Sequence, residues 1–237
     1  MLYSEDREET GEFRTFVLTN HHVVDSAIHV VRKWDSLRQC YYNTEENDRV
    51  TVEVFTYLRS GRTVMGRPIS AEIRAHKAEE DMALLELDYP LAVPQCATLL
   101  PKGIELNLLQ SVWAVGCSLG EDPIATIGHI MDLEELIENK PYVLASAQII
   151  YGNSGGGVFA KIDNIVYFVG VPSRIRVMRN GQALSHMGFF VPPDRIRRFF
   201  KVQKLDFLLD KEVTPTESFE ARSRIQKKAT EMGPPAP

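Results

Sequence analysis

The pentapeptide Gly152-Asn153-Ser154-Gly155-Gly156 is the segment of this chain best suited to chemistry. A serine hydroxyl is a poor nucleophile at neutral pH, so acyl transfer through it needs an adjacent base, a group that orients the base, and donors for the oxyanion that develops. Glycines on either side of Ser154 allow the backbone geometry and close substrate approach that a nucleophile loop demands. Two other segments supply the remaining parts. In FVLTNHHVV an apolar run ends in a polar turn carrying His21 and His22, and in DMALLEL the acid Asp81 directly precedes another apolar run. Each segment alone has an ordinary reading: a glycine-rich surface turn, a surface or packed histidine, a carboxylate at the start of a strand.

A G-x-S-x-G string also fits the nucleophile elbow of α/β-hydrolases, which would make the chain an esterase. An elbow leads into a helix and has its acid and histidine downstream. Here Ser154 is followed by Gly155-Gly156-Gly157-Val158-Phe159 and a β-rich stretch, and the downstream candidates Asp163 and His186 sit in no recognisable pattern.

Taken together, Thr19-Asn20-His21-His22-Val23, DMALL and GNSGG resemble the trypsin-like serine proteases, most closely their HtrA/Deg-like branch. The order His22, Asp81, Ser154 is that of the chymotrypsin arrangement. Further similarity lies in LRSGRTV, SVWAVGCSLG, Thr126-Ile127-Gly128-His129-Ile130, VYFVGV and MGFFVPPDRI, and extends over roughly residues 10 to 200. The resemblance implies a serine endopeptidase with Ser154 as nucleophile, His22 as general base and Asp81 orienting the base. It implies an oxyanion hole at Gly152, Asn153 and Ser154, built chiefly from the backbone N–H groups of Gly152 and Ser154. It also implies a substrate pocket with Gln148 at its base and Val169, Gly170, Val171, Pro172 and Ser173 along a wall. With no acid at Gln148, cleavage after small or medium apolar residues is expected. Asn153 stands where relatives activated by cleavage carry an aspartate that pairs with a new N-terminus, so activation of that kind is not expected. A protease fold that has lost activity and keeps a peptide groove is the competing reading.

The elements that must position these residues read as all-β. Runs rich in β-branched and aromatic residues recur at 13–19, 27–31, 50–58, 64–74, 82–87, 112–115, 142–147, 158–162, 165–171 and 187–191, separated by turn signals such as Arg59-Ser60-Gly61-Arg62 and Asp163-Asn164. The resemblance turns this into two antiparallel six-stranded β-barrels, with the site in the cleft between them. The protease domain is expected over 1–203, the first barrel at about 1–95 and the second at about 105–203, joined by a connector punctuated by Pro90, Pro94, Pro101 and Gly103. In the family a strand precedes the histidine hairpin, and Met1 falls where it would already be under way, so the first barrel is expected to be incomplete or closed differently. Helices are expected at 132–139 and 193–201, the second with Arg195, Arg197 and Arg198 on a solvated face. Residues 33–48 read as a polar connection, and 204–237 as a charged flexible tail, too short for a PDZ module.

Composition narrows the partners. The 237 residues are 44% hydrophobic and 25% charged with a formal net charge of -5, the profile of an ordinary globular protein. No extended basic stripe is present, so a nucleic-acid partner is not expected. Neither a membrane-length apolar run nor an export signal opens the chain, which makes the cytoplasm the default expectation. Cys40, Cys96 and Cys117 are odd in number and widely spaced, supporting neither a disulfide framework nor a zinc site. No metal and no cofactor are expected, and the partners are protein or peptide substrates. Oligomeric state is not legible in the sequence.

Overall fold

The computed structural model describes residues 1–231 apart from Arg38, Gly61, Arg62 and Gln95. The first half is a five-stranded antiparallel sheet. Its strands are β1 (Tyr3–Glu5), β2 (Arg14–Thr19), β5 (Val50–Tyr57), β6 (Thr63–Lys77) and β7 (Met82–Leu87), in the spatial order β1-β2-β7-β6-β5. It does not close on itself, in line with the expected incompleteness of the first barrel. The second half is a closed six-stranded ring of β8 (Ser111–Gly116), β9 (Ile124–Ile137), β10 (Lys140–Ala145), β11 (Gly157–Ile162), β12 (Ile165–Val177) and β13 (Ala183–Val191), in the order β10-β13-β12-β11-β8-β9. The connector joins the two by pairing: Leu100 N–H donates to Phe168 O and Phe168 N–H to Thr98 O.

One core spans both halves. Phe16, Met82 and Leu84 of the open sheet meet Tyr142, Phe168, Val171 and Phe189 of the ring, with Ile196, Phe199 and Phe200 of helix α1 (Pro193–Val202) closing the cluster. Burying this many large side chains at 1.5–3 kcal/mol each makes the interface between the halves as much an interior as either half alone. A second cluster, from Val112 to Phe190, fills the ring.

Three expectations are corrected. Residues 132–139 are not a helix: they complete β9 and turn into β10 at Glu138 and Asn139, both with positive φ (52° and 60°), with Ile137 paired to Lys140. The helix-like spacing of Leu133, Leu136 and Ile137 yields to a two-residue hairpin turn, for which asparagine at positive φ is well suited. Residues 33–48 are not a loop. They belong to a separate hairpin of β3 (Ile28–Asp35) and β4 (Cys40–Asn47) whose faces are both largely exposed, so no alternation of apolar residues betrays it. Nor is Arg195 on a solvated face, for it is 2% exposed. The turn signal at Gly61 and Arg62 lies outside the described residues.

The segment after Lys204, read as a tail, instead enters the core. Leu205 and Phe207 are fully buried, and the Phe207 ring lies 4.8 Å from that of Phe16. Arg7 Nη1 donates to the carbonyls of Phe207, Asp210 and Val213. Thr214 then opens helix α2 (Pro215–Glu231): its Oγ1 accepts from Glu217 N–H at 3.2 Å while Glu217 Oε2 accepts from Thr214 N–H at 2.8 Å. This is a capping box, legible in the sequence as T-P-T-E with proline at the first helical position. Phe219 brings α2 back onto Phe16 and Phe207. Phe207→Ala is therefore expected to cost about 3–5 kcal/mol in denaturant unfolding, and a loss under about 0.5 kcal/mol would return this segment to the status of a tail.

Candidate active site

His22 is delivered by β2, an interior strand of the open sheet. Its ladder with β7 pairs Thr19 with Ala83, so the residues that follow Thr19 must lie beside Asp81, the residue that precedes Met82. His22 sits in a single 3-10 turn, His21–Val23. Asp81 ends another, Ala78–Glu80, in the left-handed conformation at φ 52°, ψ 46°. The two meet: His22 Nδ1 lies 2.8 Å from Asp81 Oδ1 and 3.0 Å from Oδ2, and His22 backbone N–H donates to Oδ1 at 3.2 Å. A carboxylate can only accept, so Nδ1 carries the proton and Nε2 presents its lone pair away from Asp81.

Ser173 hydroxyl donates to Asp81 Oδ2 at 2.6 Å. It reaches the acid because the β12–β13 register skips from Pro172↔Phe190 to Arg174↔Phe189, leaving Ser173 as the extra residue of a bulge, and a bulge re-aims a side chain. The carboxylate is thus bonded from both halves. Burial pushes the Asp81 pKa up, but the hydrogen bonds from His22 and Ser173 outweigh it and hold the group below its usual 3.8. The hydrogen bond to Asp81 raises the His22 pKa above 6.5 against the opposing effect of burial.

Ser154 lies in the loop between β10 and β11, partly exposed. That loop is held at every point. Asn153 is fully buried, with Oδ1 accepting from Ser118 hydroxyl at 2.9 Å and Ile150 N–H at 3.3 Å. Tyr151 O accepts from Leu119 N–H at 2.7 Å. Because C=O and N–H of one peptide point in opposite directions, this bond turns the Gly152 N–H away from the 117–120 loop. Gly152 has φ +93°, and a Cβ on it would come within 2.3 Å of Cys117 O, so glycine is required. Among the described residues, neither the Gly152 nor the Ser154 N–H donates to another protein group, which leaves two donors beside the hydroxyl. The Asn153 N–H is committed to Ile150 O at 3.1 Å, so the expectation that Asn153 joins the oxyanion hole is corrected. Ser154 Oγ and His22 Nε2 are not hydrogen-bonded in this state. Catalytic contacts of this kind are commonly open in free enzymes and tighten on substrate.

One residue joins the two parts. Asn20 is fully buried; its Nδ2 donates to Asp81 O at 2.9 Å and its Oδ1 accepts from Gly155 N–H at 2.6 Å. Asparagine in front of a helical turn ordinarily caps it, but here the amide makes no cap and links the nucleophile loop to the acid turn instead. The T-N-H-H pattern marks Asn20 as part of the histidine segment without disclosing this role.

The expected pocket wall fares differently. Val169 and Val171 are fully buried core side chains, Gly170 and Pro172 are buried, and Ser173 is engaged by Asp81. Burial runs unbroken from Phe168 to Pro172, so these side chains are engaged in packing, and a pocket wall along this stretch would be formed by its main chain. Gln148 is exposed, with its carbonyl accepting from Thr126 hydroxyl at 3.0 Å. Ser154 is followed by a strand, which removes the esterase elbow. Among the described residues no group of three or more His, Cys, Asp or Glu side chains could hold a metal ion, and no helix is long and apolar enough to cross a membrane.

Residues 2–171 match the trypsin-like peptidase domain family, and the chain belongs to that family. Among solved structures it is similar to the HtrA-type protease AlgW with a tripeptide (21% identity, TM-score 0.55, 81% of this chain and 52% of that one) and to AlgW with a decapeptide (21%, 0.54, 79% and 48%). At that identity the likeness is one of fold, and the chain spans about half the length of those proteins. No curated protein matches.

The raised His22 value sets a sign. Its contribution to stability is complete below about 6.5 and is lost as the pH rises through the folded-state pKa. In an NMR titration of the Ser154→Ala protein, the His22 imidazole is expected to titrate above 6.5, and Asp81→Asn is expected to bring the midpoint down. A wild-type midpoint at or below 6.5 would detach His22 from Asp81.

Proposed function

We propose that this protein is a serine endopeptidase. The observation that carries the reading is the His22–Asp81–Ser173 chain of hydrogen bonds facing a loop that holds Ser154 next to two unused backbone N–H donors. His22 Nε2 takes the Ser154 proton as Oγ attacks the scissile carbonyl, and the resulting oxyanion is met by the Gly152 and Ser154 N–H groups. His22 then passes its proton to the leaving amine, releasing it and leaving an acyl-enzyme on Ser154. Water, deprotonated by the same imidazole, hydrolyses the ester. Asp81 stays ionised throughout and stabilises the imidazolium.

Peptide bonds are the proposed target, a reading favoured by the fold shared with proteases whose structures carry a tripeptide and a decapeptide. A preference for small or medium apolar residues accords with the neutral, exposed Gln148. The alternative is a peptide-binding module that has lost catalysis, which would follow if the Ser154–His22 contact stayed open with substrate bound.

A fluorophosphonate probe separates the two. Labelling is expected in the folded protein and not in Ser154→Ala; absent labelling of the wild type would leave the binding module. Turnover is expected to rise with pH through a midpoint above 6.5, since only neutral His22 accepts a proton. Asp81→Asn should lower it by about 10⁴, and a loss under about tenfold would place the orienting acid elsewhere.

A further inference from the structure

The turn that carries Asp81 is held by donors from three distant elements. Lys140 Nζ at the start of β10 donates to Glu79 O, Arg195 Nη2 in α1 donates to Glu80 O at 3.1 Å, and Asn20 Nδ2 donates to Asp81 O at 2.9 Å. Three consecutive carbonyls therefore accept from outside the turn, while Asp81 N–H closes it on Ala78 O at 3.0 Å. A non-glycine residue in the left-handed region is costly and persists where its surroundings over-determine it.

Arg195 does the most of the three. Its guanidinium is buried, lies 4.6 Å over the Tyr142 ring, and grips Glu80 at both main chain and side chain, with Nε and Nη2 3.2 and 3.1 Å from Oε2. Nη1 reaches Pro141 O at 3.4 Å. The half-exposed Arg198 makes only an outer contact to the same carboxylate, at 2.9 Å. A buried ion pair is weak grounds for stability, because desolvating both charges offsets their attraction. What this pair does supply is direction, since the planar fork fixes Glu80 and with it the residue next in the chain.

We propose that Arg195 is a positioning residue of the active site: through Glu80 it holds the 78–81 turn in the one conformation that aims the Asp81 carboxylate at His22. The proposal rests on the role given to Asp81 in the proteolytic reading. It links helix α1 to the acid turn through this one side chain, so that alignment of Asp81 depends on the Arg195–Glu80 contact itself.

The test is Arg195→Lys, which keeps the charge and loses the fork, with Glu80→Gln as a second variant in case the first does not fold. Phe200→Leu on the same helix serves as a control for general loosening of the packing. Two quantities are read: the inactivation rate and affinity constants for a fluorophosphonate, and the His22 midpoint by NMR. His22 faces Asp81, Asp25 and Arg174, and of these only Asp81 sits on the turn held by Arg195. Both turn variants are expected to lower the inactivation rate about ten- to a hundredfold with affinity unchanged, and to move the His22 midpoint down toward 6.5. Phe200→Leu is expected to lower the melting temperature and leave both readouts alone. Folded Arg195→Lys and Glu80→Gln proteins with wild-type rate and midpoint would overturn the proposal, as would equal shifts in Phe200→Leu. Should the wild type fail to label, the proteolytic reading fails, while the His22 midpoint still decides this one.

Discussion

The proposed action of His22 and Asp81 on Ser154 crosses two halves of the molecule and requires those halves to be fixed to one another, which is done by the core they share. Phe16, Met82 and Leu84 stand directly behind the segments bearing His22 and Asp81, and they pack against side chains of the closed ring that carries Ser154 and Ser173. Close packing tolerates little displacement, whereas catalytic groups lose much of their effect over about 1 Å. The apolar contact thus sets coarse placement, and hydrogen bonds across it finish the alignment. Asn20 ties Asp81 to Gly155, and Ser173 ties Asp81 to β12.

The open first sheet is consistent with this division of labour. Its edge strands are not joined by a ladder, but β2 and β7, the strands that end just before His22 and begin just after Asp81, lie inside the sheet with neighbours on both sides. The incomplete part is its rim, at β1 and β5. Geometry at the site therefore depends on the best-supported strands, and the second half, whose ring is closed, provides the loop whose backbone must be held most rigidly.

Most strands were legible in the sequence as short apolar runs between turn signals, as in Met82–Leu87, buried at every position but Glu86, and Val112–Val115. Of the β3–β4 hairpin only the start of β3, in the run 27–31, was legible, since the rest is polar or exposed on both faces. The acidic stretch of β9 was misread because Leu133, Leu136 and Ile137 share a helix-like spacing that only cross-strand pairing overrides. Local order announced helix α2 through the capping residues Thr214 and Glu217, although the stretch as a whole has the composition of a tail. At the site, the types and order of His22, Asp81 and Ser154 were readable; the partners that aim them were not. Ser173 reaches Asp81 through a bulge, Asn20 through an amide diverted from capping, and Arg195 across more than a hundred residues of chain. Such contacts depend on register and tertiary closure, which residue types alone do not encode.

Burial of Arg195 shows why a charge run misleads in one dimension. Arg195, Arg197 and Arg198 fall within a single turn of α1, and a helix of that composition is expected to lie with all three in water. Yet a helix rotates by about 100° per residue, so neighbouring positions face different surroundings, and α1 packs against β12 of the ring and the turn at Asp206–Leu208. Arg195 lands on the seam, where Glu80 and the Tyr142 ring compensate it. Arg198 stays at the surface and reaches the same carboxylate from outside. The carboxylate that all this charge serves is one residue from Asp81. A structural ion pair placed so near the acid shares its geometry, because Arg195 also holds the Glu80 carbonyl, which belongs to the peptide on which the acid is mounted.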